Sequence, residues 1–408
     1  MHRTISRVLI FPTLTNPHTY SKTIFALNQN NQIKPLSGNI NPTDTNCIYT
    51  ATRVLLKDFF ELEFKDTLDT IAQHGSNYWL DDTFRHWLIK FVDADLYDNL
   101  DDNTYTFVVP VDDELKYFDN GHIVRLSEDE LREKCPKEYT DYITTKKYYE
   151  EAEKNKTLKH YGIINCEKKI SWRNHYEALY SGIFREKGER WLNYAASESQ
   201  LPSDEELKKL KGIVISGAGH AAYDDSPFHK ELFEVLQKAY HGYPHLKLLG
   251  ICFGCQSLAH CLGGRAAKME GLDVPFITDL AWVQLTKEMK EKSYYRKTLE
   301  QLKIKEVDKF VAVESHGDQV AKLPEKAQVL AHSETTDIEM WGLDEKVLSA
   351  QFHPEFNEPL MKLKVLQELP YEEPVKQKMM NRFVESEKNH ELHRTFQVNL
   401  CKNFLKSE

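Results

Sequence analysis

From residue 159 onward, short apolar runs alternate with stretches of helical spacing. The apolar runs have the length of buried strands: 160–166, 210–215, 246–252 and 347–350. The stretches between them place apolar residues three and four positions apart, which predicts helices: 172–179, 228–240 and 256–262. This alternation favours an α/β fold with a mostly parallel sheet and helices on both faces. Because ligands bind at the carboxyl ends of such strands, we expect functional residues directly after them.

Residues 1–145 follow a different pattern. Apolar runs predict strands, and one periodic stretch predicts a helix: strands at 7–11, 24–28 and 104–111, and a helix at 48–64. A further apolar run at 123–131 enters a second helix, where Ser127 and Glu130 have the spacing of a capping box. Strands and helices that are not in regular alternation favour an α+β domain.

The 408 residues are enough for two or three domains of roughly 150 residues. A charged stretch at 146–158 has no clear apolar face, which predicts a helical linker or a solvated helix. The charge changes at the same point, because residues 1–150 have a net charge of −8 and the remainder −2. We therefore predict an α+β domain at 1–145, the linker at 146–158 and the α/β domain at 159–408.

The overall net charge of −10 excludes a general nucleic-acid binder, which needs a basic surface. No stretch approaches the ~18 apolar residues of a membrane span, so we expect no membrane partner. The acidic N-terminal domain is a candidate surface for a protein partner. The odd number of cysteines, seven, predicts a reducing compartment, and we expect the cytoplasm. A mitochondrial presequence is the alternative, but Pro12 and Pro17 would break its amphipathic helix.

The apolar run at 246–252 leads into Gly250-Ile-Cys252-Phe253-Gly254, which has the form of a nucleophile elbow with Cys in place of Ser. A nucleophile on such a turn has a strained backbone, and the two glycines let the turn close. The positive end of the following helix favours a thiolate. The N–H of Phe253 can point at a developing oxyanion. We predict that Cys252 is the nucleophile.

The same segment has other interpretations. Cys252 and Cys255 form a C-x-x-C pair, which is typical of a redox dithiol or, together with His260 and Cys261, of a zinc site. No second C-x-x-C pair flanks it, so we predict no metal and no other cofactor. A second thiol this close to the nucleophile also predicts that oxidation could join Cys252 to Cys255.

A candidate base and its orienting group follow the run at 347–350, in Gln351-Phe-His353-Pro-Glu355. A thiolate needs an imidazole that takes up a proton and later protonates the leaving amine. A carboxylate fixes the imidazole tautomer, and Pro354 stiffens the connection between them. We predict that His353 and Glu355 complete the catalytic group. The alternative is a surface histidine in a turn.

Two more polar segments follow apolar runs. Glycines in Ser216-Gly217-Ala218-Gly219 free backbone N–H groups for an anion or a second oxyanion donor. The cluster at 314–319, with its single Gly317, is suited to binding a zwitterionic head group through backbone groups. Each segment is also compatible with an ordinary turn.

In this order, the segments GICFGCQ, SHGDQV and QFHPE resemble the nucleophile motif, the substrate loop and the His–Glu pair of class I glutamine amidotransferases. The resemblance covers 159–408 and implies a flavodoxin-like fold there. The stretches VISGAGHAAYDD, IEMWGLDEKVLSAQFHPEFN and LCKNFLK are similar to the γ-glutamyl peptidase branch in particular. Members of that branch are stand-alone hydrolases of glutathione-type γ-glutamyl bonds.

The resemblance implies a role for each matching residue. Cys252 would attack the γ-carbonyl of a glutamyl group and form a γ-glutamyl thioester, with His353 as base and acid and Glu355 orienting it. The N–H groups of Ala218 and Phe253 would form the oxyanion hole. The implied substrate-binding residues are Gly217, Gln256, Ser315 and His316. Cys255 departs from the family, which more often has His or Met at that position.

The sequence has neither a pyrophosphatase loop nor a P-loop that would serve an ammonia acceptor in the same chain. This favours a hydrolase or transferase acting on a small γ-glutamyl compound, either a glutathione-type peptide or glutamine. Two alternatives are a non-catalytic component of a larger assembly and a glutaminase subunit that supplies ammonia to a separate synthetase.

The order of elements in 1–145 resembles a Nudix domain. Such a domain would be degenerate here, because Val54 and Lys57 replace glutamates of the metal-binding segment and leave Asp58 as its lone carboxylate. We therefore predict no Mg²⁺-dependent hydrolysis of nucleoside diphosphates by this region.

Overall fold

The structure of the protein, a computed structural model, describes most of the chain in twelve segments: 7–15, 22–29, 32–39, 51, 54–55, 94–99, 104–110, 123–270, 276–356, 360–361, 372–377 and 390–407. Contacts between residues divide the chain into two units. The first is Met1–Lys159 with Glu177–Trp191, and the second is His160–Tyr176 with Leu192–Glu408.

The first unit contains a seven-stranded mixed sheet in the order β3-β2-β1-β6-β5, with β4 paired to β1 and β7 paired to β2. Strand β1 runs parallel to β6 and antiparallel to β2 and β4. The strands are β1 Arg7–Thr15, β2 Lys22–Gln29, β3 Gln32–Lys34, β4 Leu36–Asn39, β5 Asp95–Asn99, β6 Thr104–Pro110 and β7 Ile123–Leu126. Helices α1 Glu128–Lys134 and α2 Pro136–Lys154 follow.

The capping box predicted at the start of α1 is confirmed. The Ser127 hydroxyl accepts from the Glu130 N–H at 3.2 Å, and the Glu130 carboxylate accepts from the Ser127 N–H at 2.8 Å. The hydroxyl and the carboxylate thereby each accept a hydrogen bond from a backbone N–H group that has no acceptor within the helix. Of the helix predicted at 48–64, the structure describes Ala51, Val54 and Leu55, which are helical. Lys57 and Asp58 of the Nudix-like segment lie outside the described residues, and that interpretation stays a prediction.

Helix α2 corrects one expectation from the sequence. The stretch 146–154 forms the second half of this helix, and its Tyr149 is buried. The Tyr149 hydroxyl donates to the carbonyl of Leu96 at 2.9 Å, while Tyr142, two turns earlier, packs on Phe11 with ring centroids 5.3 Å apart. The large side chains of the buried face are therefore tyrosine rings, which a hydropathy pattern counts as polar, and Thr145 and Ala152 complete that face. The domain boundary at 146–158 stays a prediction.

The second sheet confirms the predicted α/β fold and is mixed. Its order is β14-β13-β16-β17-β18-β11-β10-β8-β9. Strands β8, β10, β11 and β18 are parallel, and the sheet continues from β18 through antiparallel pairs. A small antiparallel pair joins β12 to β15. The strands are β8 Lys159–Asn165, β9 Glu189–Ala195, β10 Leu210–Ile215, β11 Lys247–Ile251, β12 Arg265–Lys268, β13 Ile277–Leu285, β14 Lys309–His316, β15 Asp318–Lys322, β16 Gln328–His332, β17 Met340–Leu343 and β18 Val347–Ala350.

Helices cover both faces of this sheet. On β10, Ile213 belongs to a core that includes Leu232 and Leu258 of two helices, whereas a side chain at the adjacent Gly212 would meet Leu405 of a third. Successive strand residues point to opposite faces, so these helices lie on opposite sides. The helices from residue 160 onward include α3 Ile170–Phe184, a 3₁₀ turn Ala196–Glu198, α4 Asp204–Lys209, α5 Pro227–Gly242, α6 Phe253–Cys261, α7 Lys287–Lys290, α8 Ser293–Leu302 and α9 His390–Leu405.

The parallel strands point their carboxyl ends to one edge of the sheet, and the predicted functional residues follow those ends. Cys252 comes directly after β11, Gly217 shortly after β10, and His353 shortly after β18. The six cysteines that the structure describes are buried free thiols. Within the described part of the chain, no helix combines the length and the apolar character that a membrane span requires.

Candidate active site

Cys252 lies on the sharp turn between β11 and α6 that the glycine spacing predicts. Its φ of 51° and ψ of −107° fall in a region that side-chain-bearing residues rarely occupy. A Cβ at Gly250 would lie 2.6 Å from the Gly254 carbonyl oxygen, and a Cβ at Gly254 would collide with the carbonyl of Ile215. Glycine is therefore required on both sides, because the backbones of the strand and the helix pass too close for any side chain. Strain of this kind persists where surrounding structure holds it, which is common at active sites.

His353 lies beside the thiol and is held by Glu355. Its Nδ1 is 2.7 Å from Glu355 Oε1, and both Cys252 and His353 line one cavity. The histidine and the glutamate are both buried, at 3% and 0% exposure. Burial alone would lower the pKa of His353, but the charges of Glu355 and Cys252 outweigh it and hold that pKa well above its usual value. The three predicted catalytic side chains are thus brought together.

An aromatic cluster on the other side of the imidazole was not predicted. The ring of Phe356 stacks on His353 with centroids 4.4 Å apart and planes 4° from parallel. Trp172 and Tyr176, one turn apart in α3, pack on Phe356 at 6.2 and 6.1 Å. The i, i+4 spacing of Trp172 and Tyr176 indicates that the two rings share one face of a helix. That spacing alone does not distinguish the wall of a binding site from a face packed in the core.

The two residues predicted to form an oxyanion hole are Phe253, which follows the nucleophile in the chain, and Ala218. Phe253 is the first residue of α6, so its N–H has no acceptor within the helix. Ala218 lines the same cavity as Cys252. Beside it, a Cβ on Gly217 would lie 3.0 Å from His353 Cε1 and 3.6 Å from the Cys252 Cβ. Gly217 therefore leaves room for the imidazole.

Three of the predicted substrate-binding residues line the same cavity: Gln256, Ser315 and His316. The buried amide of Gln256 donates to the carbonyl of Asp318 at 2.9 Å, so it holds the loop after β14. The carbonyl of Ser315 lies 3.8 Å from the Cys252 thiol. His316 Nδ1 is 2.9 Å from the same Asp318 carbonyl, so its ring is held by the protein itself.

These residues line a cavity with a volume of about 500 Å³, which falls in the range of roughly 300–1,000 Å³ typical of small-molecule sites. Two carboxylates, Glu167 and Asp318, contribute to its wall, and among the described lining residues none is lysine or arginine. Glu167 follows β8 and was not predicted. At the mouth, the half-exposed Tyr223 donates its hydroxyl to Asp318 Oδ1 at 2.9 Å.

Comparison with known proteins concerns the domain that contains this site. Residues 174–369 match the family described as glutamine amidotransferase class-I. Gamma-glutamyl peptidase 3 of Arabidopsis thaliana is 30% identical over 233 residues, which are 57% of this chain and 88% of that protein. The chain belongs to the class I glutamine amidotransferase family.

Two more comparisons concern the same domain. Gamma-glutamyl peptidase 4 of Arabidopsis thaliana is 28% identical over 236 residues, again 57% of this chain and 88% of that protein. A crystal structure of a glutamine amidotransferase from Thermotoga maritima covers 61% of this chain and 99% of its own, at 19% identity and a TM-score of 0.47.

In this amidotransferase domain, the surroundings of Cys255 disfavour the redox chemistry that its C-x-x-C spacing with Cys252 suggests. Its thiol is fully buried and accepts a hydrogen bond from Trp341 Nε1 at 3.2 Å. Burial also raises the pKa of Cys255 far above its usual value, which disfavours the thiolate that disulfide formation requires. Among the described residues, no group of three His, Cys, Asp or Glu side chains is arranged to hold a metal ion.

Proposed function

We propose that this protein is a cysteine-dependent enzyme that hydrolyses or transfers a γ-glutamyl amide bond through a γ-glutamyl thioester. The observation that supports this best is the buried His353–Glu355 pair, whose imidazole lines the same cavity as Cys252. A thiol, an imidazole and an orienting carboxylate in that order form the minimum set for nucleophilic acyl transfer. The peptidase relatives agree with the γ-glutamyl group as the acyl part.

Acylation follows from the protonation states at the site. A His353 pKa that is held high favours the imidazolium form of its ring, which is the proton donor that the leaving amine needs; the attacking group is the thiolate of Cys252. The thiolate attacks the γ-carbonyl carbon and forms a C–S bond, while the carbonyl oxygen becomes an oxyanion facing the N–H groups of Phe253 and Ala218. Collapse of this intermediate breaks the C–N bond. The imidazolium gives a proton to the departing amine, so no free amide anion is formed.

Deacylation reverses the roles. A water, or a second amine in the case of transfer, enters the position that the leaving amine has vacated. Neutral His353 takes its proton as it adds to the thioester carbon, and the C–S bond breaks to return the Cys252 thiolate. Glu355 keeps the imidazole in the tautomer that presents Nε2 to the reacting atoms, because Nδ1 is occupied by the carboxylate.

The cavity supports a substrate that extends beyond the glutamyl group. Its two carboxylates complement an α-ammonium group, because opposite charges in a recessed site attract strongly. Aromatic rings at Trp172, Tyr176 and Phe356 offer apolar surface to whatever is bonded to the γ-carbonyl. We therefore propose glutathione-type γ-glutamyl compounds as the substrate class, with glutamine as the smaller alternative.

The test is glutamate release by the purified full-length protein from glutathione, a glutathione S-conjugate and glutamine, with Cys252→Ala as the control. Intact-protein mass spectrometry of a quenched reaction should reveal a covalent glutamyl adduct that the control lacks. Turnover of γ-glutamyl peptides that disappears in the control is the expected result.

Other outcomes would favour the alternatives. Turnover of glutamine alone that rises when a synthetase is added would favour an ammonia-supplying subunit. A thiol that iodoacetamide labels, without turnover or adduct on any of the three compounds, would overturn the proposal and favour an assembly component.

A further inference from the structure

Two buried glutamates lie behind the predicted substrate loop, outside the set of residues that the proposed mechanism uses. Glu314 belongs to β14, and Glu339 immediately precedes β17. Both are fully buried, and they are close neighbours, because after burial itself the charge of Glu314 raises the pKa of Glu339. Two adjacent buried carboxylates would repel each other and neither could donate a hydrogen bond, so at least one of the two carries a proton. With both ionised, each oxygen of Glu314 would lack a donor.

The pair connects at one end to the substrate loop. His316 Nε2 lies 3.1 Å from Glu314 Oε2, and His316 Nδ1 lies 2.9 Å from the Asp318 carbonyl. A carbonyl only accepts, so the proton of the neutral ring is assigned to Nδ1. Nε2 is then an acceptor, and the atom that can donate to it is a protonated oxygen of Glu314.

The other end connects to the loop after β16. The Ser333 hydroxyl donates to Glu339 Oε1 at 2.7 Å, and the backbone of Glu339 accepts from the Gln351 N–H at 2.8 Å. Gln351 begins the segment that holds His353, whose own N–H donates to the carbonyl of Val313 at 2.9 Å. The two glutamates and their backbone neighbours therefore connect β14, which contains Ser315, to the segment that holds the imidazole of His353.

With one proton on each carboxyl group and one on the imidazole, the three side chains form a series of hydrogen bonds without net charge. Glu339 donates to Glu314, Glu314 donates to His316 Nε2, and His316 Nδ1 donates to Asp318. Burial raises the pKa of Glu314 to about 8 and that of Glu339 well above its usual value, and it lowers the pKa of His316. Each of these directions favours the neutral form near pH 7.

We propose that Glu314 and Glu339 act as a proton-sharing positioning pair that fixes His316 and the 315–318 loop against Cys252. This rests on the proposed function, because the loop is the surface that would contact the glutamyl head group. Gln256 donates to the same Asp318 carbonyl as His316, so the loop is held from both α6 and β14. Loss of the Glu314 proton would leave a buried charge and remove the donor that holds His316 Nε2, which would release the ring.

The charged groups around the pair set the pH range. His353 and His316 face Glu314 and Glu339, and positive charge there favours ionised carboxylates. Asp279, the cross-strand partner of Glu314 on β13, has the opposite effect, while Asp318 faces His316. With the pKa of Glu314 at about 8, substrate affinity should fall as the pH rises above that value.

The decisive variant is Glu314→Gln, because its amide N–H can donate to His316 permanently while its carbonyl accepts from Glu339. We expect KM for the γ-glutamyl substrate to stay within about twofold of wild type at pH 7 and to lose its rise above pH 8. Glu314→Ala should raise KM roughly tenfold with a smaller change in kcat, the size expected for a buried hydrogen bond. Exposed Glu334→Gln, in the same loop as Ser333, is the matched control and should behave as wild type.

Infrared spectroscopy provides a readout that needs no substrate. The wild-type protein should have a carbonyl-stretch band of buried protonated carboxyl, reduced in Glu314→Gln and in Glu339→Gln but not in Glu334→Gln. Absence of that band at pH 7, or a rise in KM at alkaline pH that persists in Glu314→Gln, would contradict the proposed role of the two glutamates. A band that is present without γ-glutamyl turnover would contradict the proposed function alone.

Discussion

The imidazole of His353 and the ring of Phe356 lie face to face, 4.4 Å apart and 4° from parallel. Glu355 Oε1 meets the same imidazole at its edge, at 2.7 Å. One contact fixes the plane of the ring and the other fixes its rotation within that plane. Because the plane of the imidazole and its rotation are both fixed, His353 spends little time in orientations from which it cannot react with Cys252.

Replacing Phe356 with Leu should therefore impair catalysis more than binding. Aromatic stacking contributes about 0.5–1.5 kcal/mol beyond burial, so kcat should fall roughly two- to tenfold with KM little changed. Steady-state kinetics on a γ-glutamyl substrate measures this. Phe310→Leu is the control, because Phe310 is an equally buried ring that packs on Phe352 and Phe396. It should lower thermal stability and leave kcat near wild type; equal kcat losses in both variants would contradict the role of stacking.

Gly217→Ala should displace the base. The new methyl group would lie 3.0 Å from His353 Cε1, closer than a relaxed carbon–carbon contact, so the imidazole or the turn must move. Small displacements of reacting groups are costly, and we expect kcat to fall roughly tenfold or more. Gly242→Ala at the end of α5 is the matched control, since nothing lies within 4 Å of its added methyl. An unchanged kcat in Gly217→Ala would show that the imidazole does not need this space.

Glu355→Gln should lower kcat and change the pH at which His353 titrates. Loss of the orienting carboxylate lowers kcat by roughly 10⁴-fold in Ser-His-Asp enzymes, and we expect a loss of at least 10²-fold here. It should also lower the pKa of His353, since the charge of Glu355 raises it. NMR titration of the imidazole measures that shift, with exposed Glu325→Gln as the control.

The same substitution has a defined effect on stability. Because the pKa of His353 is higher in the folded chain than in the unfolded one, its stabilising contribution is complete below the unfolded value of about 6.5. It is lost as the pH rises through the folded value. The advantage of wild type over Glu355→Gln in free energy of unfolding should shrink over that range. An advantage that grows with pH would contradict the assignment.

Cys255→Ser should not protect the enzyme from peroxide. The buried thiol of Cys255 faces Trp341, so the disulfide with Cys252 that the sequence predicts is disfavoured. Wild type and Cys255→Ser should lose activity at the same rate, with oxidation confined to Cys252. Peptide mass spectrometry after peroxide treatment checks this, and a dithiothreitol-reversible Cys252–Cys255 link in wild type would restore the original prediction.

The sequence by itself determined the features that depend on near neighbours. Gly250 and Gly254 predict a strained turn at Cys252 because their effect is steric and lies within two residues on either side. The capping box of Ser127 and Glu130 is local in the same way. The strands that precede the site were predictable too, since burial on both faces leaves continuous apolar runs.

Only the tertiary structure decided which distant groups meet. Trp172 of α3 packs on Phe356, which follows β18, and Glu314 of β14 acts on the pKa of Glu339, which precedes β17. No local pattern encodes such pairs, because the sheet topology sets them. The direction of Cys255 was also undecided: a residue three positions into a helix can face the cavity or the core, and packing under Trp341 placed it in the core.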